Sequence, residues 1–91
     1  MDQTKIITDR IWKQVKDLGI NNKRVVEYIV RCSERGGGLA ICTLRGIAKG
    51  TGRSLATTHQ VVKRLKDEGL IEMVANGVYR LNDMHEKGNI A

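Results

Sequence analysis

Thr43-Leu44-Arg45-Gly46-Ile47-Ala48-Lys49-Gly50-Thr51-Gly52-Arg53-Ser54-Leu55-Ala56-Thr57-Thr58-His59-Gln60-Val61-Val62-Lys63-Arg64-Leu65-Lys66 is the stretch that decides the fold. It spells two short helices joined by a glycine turn. Thr43 is placed to cap the first, which is expected to end around Lys49. Ser54 is placed to cap the second, which runs to about Glu68 and is stopped by Gly69. The stretch carries six Lys and Arg residues and no acidic one. A helix pair of that charge is suited to pressing one helix into the major groove of DNA. A hairpin signal follows from Leu70 to Leu81. Its turn, Ala75-Asn76-Gly77, lies between apolar runs, and both Asn and Gly tolerate positive φ.

On a wheel of the second helix, Ser54, Thr58, Val61, Val62 and Leu65 share one side and are expected to be buried. Ala56, His59, Gln60 and Lys63 share the other, with Leu55, Thr57, Arg64 and Lys66 on the flanks. The outward set has groove-reading chemistry. The Gln60 amide can bond an adenine edge, Lys63 or Arg64 can donate to guanine or phosphate, and His59 can do either. Ala56 and Thr57 can touch a thymine methyl. Thr43, Arg53 and Ser54 are placed to hold phosphates near helix ends, and Arg45, Lys49 and Lys66 to add phosphate contacts. A solvated helix usually mixes charge signs for its own stability, so the missing acid argues for a polyanionic partner.

Upstream, Thr4 to Leu18 is expected to form a first helix with an apolar stripe of Ile7, Ile11, Val15 and Leu18, stopped by Gly19. The stripe reads as core, and Trp12 as core or dimer contact. Asn21 or Asn22 is expected to cap a further helix to about Glu34, which buries Val25, Val26, Ile29 and Val30. Gly36-Gly37-Gly38 ends it. Leu39-Ala40-Ile41-Cys42 is a candidate short strand. In the hairpin Arg80 is the one basic residue, either reaching DNA or pairing across the strands with Glu72.

Thr43 to Ile71 resembles the helix-turn-helix of bacterial and archaeal winged-helix regulators. Ile47-Ala48, Gly52, Ser54, Val61, Leu65 and Glu68-Gly69-Leu70-Ile71 carry the likeness. The resemblance implies a mainly α fold with a small β-hairpin, a winged helix-turn-helix, and a strand ahead of it that pads the hairpin sheet. It also implies that Leu55, Ala56, Thr57, His59, Gln60, Lys63 and Arg64 read or flank the major groove, and that Gly52 takes the left-handed turn conformation. Three departures stand out: Gly46 and Gly50 are expected to shorten or fray the third helix, Thr58 replaces an aliphatic core residue, and Arg53 replaces an apolar turn residue. The segment Asn76-Gly77-Val78-Tyr79-Arg80-Leu81-Asn82 is similar, more loosely, to the wing of small plasmid replication proteins of Gram-positive bacteria.

Composition bounds the rest. Ninety-one residues suit one domain, expected over 1–82 with a flexible polar tail over 83–91. Net charge is +6 and the isoelectric point is near 9.7. The excess is local, since residues 1–42 hold eight basic and five acidic side chains and residues 67–91 hold two and five. One Trp, two Tyr and no Phe leave few platforms for stacking single-stranded bases, so duplex DNA is the expected partner. The A-form major groove is too narrow for the helix, which disfavours duplex RNA. Cys32 and Cys42 are expected as buried thiols, and with His59 and His85 they show no zinc spacing, so no metal or cofactor is expected. Gly46 to Ser54 fails as a phosphate loop because the glycines stand one residue too far apart and Arg53 replaces lysine. No catalytic set emerges, no membrane span or leader is expected, and a cytoplasmic homodimer is the expected state. Transcriptional regulation is the leading expectation. A plasmid or mobile-element role in replication or conjugative transfer is second, and a protein-interaction winged helix third.

Overall fold

The structure, a computed structural model, describes residues 3–82. The tail expected over 83–91 lies outside the described residues. The chain forms α1 (Gln3–Trp12), two single 3₁₀ turns (Lys16–Leu18 and Ile20–Asn22), α2 (Lys23–Arg35), β1 (Leu39–Ile41), α3 (Leu44–Thr51), α4 (Leu55–Asp67), β2 (Ile71–Ala75) and β3 (Val78–Leu81). The three strands make one antiparallel sheet in the order β1-β3-β2. This is a mainly helical, winged helix-like fold.

The core gathers Ile7, Ile11, Trp12 and Val15 from the N-terminal segment, the aliphatic face of α2, Ile47 of α3, and Val61, Val62 and Leu65 of α4, with Ala40, Tyr79 and Leu81 from the sheet. Burying each large aliphatic side chain contributes roughly 1.5–3 kcal/mol, so helix packing dominates the stabilisation. Trp12 belongs to this core. Thr58 sits in it fully buried, and its hydroxyl donates to the Ser54 carbonyl at 2.9 Å, so the hydroxyl is satisfied.

Both caps of the α3–α4 unit form as the sequence suggests. Thr43 Oγ1 accepts from the Gly46 N–H and Ser54 Oγ from the Thr57 N–H, each at 3.0 Å. Gly52, at φ 74°, makes the left-handed turn between the helices. α3 is not frayed at Lys49 but runs to Thr51. Gly50 has a packing reason, since a Cβ there would overlap the Tyr28 ring of α2 at Cε2.

Four further expectations are corrected. The first helix ends at Trp12, not Leu18, because Gln14 and Val15 donate to the carbonyls three residues back and tighten the chain. Val15 is still fully buried and Leu18 packs on the core, so the stripe survives without the helix. Asn22 stands at the start of α2 but makes no cap bond; its amide donates to the Leu18 carbonyl at 2.8 Å. Ser54 is exposed rather than buried, because its hydroxyl serves the cap at the helix end. Asn76 does not take positive φ; only Gly77 does, at 73°, and a bulge between Met73 and Ala75 completes the turn. The two cysteines are half-buried free thiols. Burial, with Cys32 beside it, pushes the Cys42 thiol up to about 12.

Candidate nucleic-acid interface

The hairpin turn docks on the start of α3. The Cys42 N–H donates to the Gly77 carbonyl at 2.8 Å. A Cβ at Gly77 would lie 3.6 Å from Thr43 Cγ2, in ordinary contact. This places the tip of the hairpin beside the outer face of α4 and closes a cleft of about 750 Å³ between them. Of the residues expected to bind DNA, the cleft brings together Thr43, Arg45, Leu55, His59, Lys63 and Lys66. Met73, Asn76, Gly77 and Tyr79 form its hairpin wall. Sequence reasoning used Asn76 and Gly77 only as a turn. The signal that could have placed them at the site is the short link from β1 to Thr43, which forces sheet and α3 together.

The cleft is electropositive. Arg45, Lys63 and Lys66 face it, against one carboxylate, Asp67. Asp67 lies 3.1 Å from Lys63, with both side chains more than half exposed. An exposed i,i+4 pair of this kind is weak and screened by salt, so phosphate can displace it. Leu55 and Met73 stay exposed in the same cleft and offer apolar contact. Tyr79, in the hairpin wall, is buried, and burial raises its phenol above its ordinary value.

Other expected site residues lie elsewhere. Ala56 and Gln60 are exposed on α4 outside the cleft lining, Thr57 is half-buried, and Ser54 is occupied by its cap. Lys49 is exposed on α3. Arg53 donates through Nε to Asn22 Oδ1 at 3.1 Å, bracing the turn against the start of α2. Arg80 sits opposite Glu72 in the sheet register, 3.8 Å away, so the cross-strand pair forms.

Arg64 is the residue whose setting differs most from its expected role. Its Nη1 and Nη2 hold both Asp17 oxygens at 2.8 and 3.0 Å, and its Nε donates to Glu68 at 2.9 Å. All three guanidinium nitrogens are engaged, pinning α4 to the first 3₁₀ turn. The hydrogen bonds from Arg64 hold the Asp17 carboxyl below its ordinary range, and those carboxylates hold the guanidinium above its own. No sequence periodicity links positions 17 and 64.

Among the described residues there is no group of three His, Cys, Asp or Glu able to hold a metal ion, and no helix is long and apolar enough to cross a membrane. A family model described as Firmicute plasmid replication protein (RepL) matches residues 2–89. No curated protein and no solved structure matches the chain.

Proposed function

The chain belongs to the Firmicute plasmid replication protein (RepL) family, and we propose that it serves plasmid replication by binding duplex DNA with α4 in the major groove and the hairpin as a wing. The carrying observation is the cleft in which Arg45, Lys63 and Lys66 converge beside the outward face of α4, with the hairpin tip fixed at its rim. Gln60 and His59 are the base-reading candidates, exposed on adjacent positions of that helix. Arg45, Lys63 and Lys66 neutralise phosphates, and Lys63 exchanges Asp67 for DNA. Arg64 positions α4 rather than reading bases. The family favours a replication task over promoter occupancy for the same reading head. Two such heads on a homodimer would read two half-sites about one helical turn apart.

Fluorescence anisotropy with a random duplex, titrated with salt, tests this reading. Binding that collapses between about 50 and 200 mM salt supports it. Lys63→Ala is expected to flatten the salt slope by about one, whereas Arg64→Ala leaves the slope unchanged. No binding at low salt would mean that the cleft, with Leu55 and Met73 exposed in it, serves a protein partner instead.

A further inference from the structure

A second basic surface lies on α2. Arg24, Tyr28, Arg31 and Arg35 recur at i, i+4, i+7 and i+11, which puts all four on one narrow face of the helix. The three arginines are exposed. Beside them α3 contributes Gly50 and Thr51, and together these residues line a cleft of about 350 Å³. The single carboxylate in that lining, Glu27, pairs with Arg31 at 3.0 Å. Arg24 and Arg35 have no carboxylate partner among the described residues. The face therefore keeps a net positive charge.

This cleft shares no lining residue with the one beside α4. α3 gives its first turn to one and its last turn to the other, and its eight residues span about 12 Å. The two surfaces thus lie at opposite ends of α3.

We propose that the Arg24–Arg31–Arg35 row is a second binding surface for the phosphate backbone of DNA, separate from the groove-reading face. The row extends about 16 Å along α2, at 1.5 Å per residue, while one strand presents a phosphate every ~3.4 Å of duplex axis. It can therefore meet several phosphates at once. The planar guanidinium fork grips phosphate oxygens in pairs. A protein partner fits less well, because protein interfaces centre on exposed apolar anchors. The one large apolar group here, the Tyr28 ring, is half-buried against Gly50. Gly50 thus has a role in this surface: a Cβ there would overlap the Tyr28 ring, so glycine lets the ring pack against α3. The inference rests on the reading of this chain as a DNA-binding protein.

The test compares two variants of the full chain on one random duplex of about 30 base pairs, by anisotropy over a salt series. Arg24→Gln/Arg31→Gln/Arg35→Gln removes the α2 row, and Arg45→Ala/Lys63→Ala/Lys66→Ala removes the cleft charges. The first is expected to weaken binding at least tenfold at low salt and to flatten the slope by about two. A wild-type slope and affinity in that variant would overturn the inference and turn the row toward an acidic protein surface. Loss of binding in the α2 variant with none in the cleft variant would uphold the row and sink the groove reading; the reverse would sink the row alone. Circular dichroism melts check that the triple variant is folded. Should it not be, Arg35→Gln alone must flatten the slope by about one, and an unchanged slope there would equally overturn the inference.

Discussion

In the α3–α4 unit each helix starts on a hydroxyl that accepts a backbone N–H, Thr43 from Gly46 and Ser54 from Thr57. At the start of α2 the side chain of Asn22 turns elsewhere, donating to Leu18 and accepting from Arg53. The first region is assembled from signals within four residues of one another. The second adds contacts across more than thirty, with Arg53 reaching Asn22 and Arg64 reaching Asp17. A polar residue beside a helix start therefore has two fates. At the starts of α3 and α4 the hydroxyls bond within their own helices, whereas the Asn22 amide has donors and an acceptor to share with distant chain.

The largest effect that could break this comparison comes from Ile11→Ala. If the segment before α2 were an appendage, the substitution would cost almost nothing. Ile11 is 1% exposed in the common core, so the expected loss is ~2–5 kcal/mol in urea unfolding, matching that of Leu65→Ala on α4. A loss well below the Leu65 value would mean that α1 packs as a separate unit.

Cap substitutions sharpen the contrast at an intermediate scale. Thr43→Ala and Ser54→Ala should each cost ~0.5–2 kcal/mol and add together, because each removes only bonds within its own helix start. Asn22→Ala and Arg53→Ala should each cost ~0.5–1.5 kcal/mol but sum to less than their separate effects, since they share one contact. Additive losses at Asn22 and Arg53 would show that their hydrogen bond contributes nothing to stability.

The smallest effect belongs to the Arg64–Asp17 pair, whose carboxylate is exposed. Its folded-state pKa is depressed by the Arg64 hydrogen bonds. The stabilisation is therefore present above the ordinary carboxylate value, near 3.9, and is lost as pH falls through the depressed one. Asp17→Asn should lower the melting temperature by at most a few degrees at pH 7 and leave it unchanged at pH 2. A difference that persists at pH 2 would assign the effect to packing rather than charge.

These contrasts also mark what was legible. The extent of α2, the strand at Leu39, both hydroxyl caps and the buried face of α4 apart from Ser54 follow from periodicity and local chemistry, whereas the asparagine cap of α2 does not form. Half of the cleft was legible too, because Arg45, His59, Lys63 and Lys66 lie on faces that a helical wheel resolves. Arg64 was not, since its neighbours on the wheel say nothing about Asp17. Met73 and Asn76 were not, since a hairpin pattern fixes register but not where the hairpin docks. The end of α1 is not legible, because Ile7, Ile11, Val15 and Leu18 reach the core with a 3₁₀ turn in place of a continuing helix.

By itself the sequence determined the elements, the uneven charge and the polarity of each helix face, because those depend on residues a few positions apart. The tertiary structure alone decided which cations are free. It tied Arg64 to Asp17 and Arg53 to Asn22, left Arg24 and Arg35 without carboxylates among the described residues, and set the hairpin tip beside Thr43. Charge is a property of a residue, but its availability to a partner depends on which opposite charges the fold brings within hydrogen-bond reach.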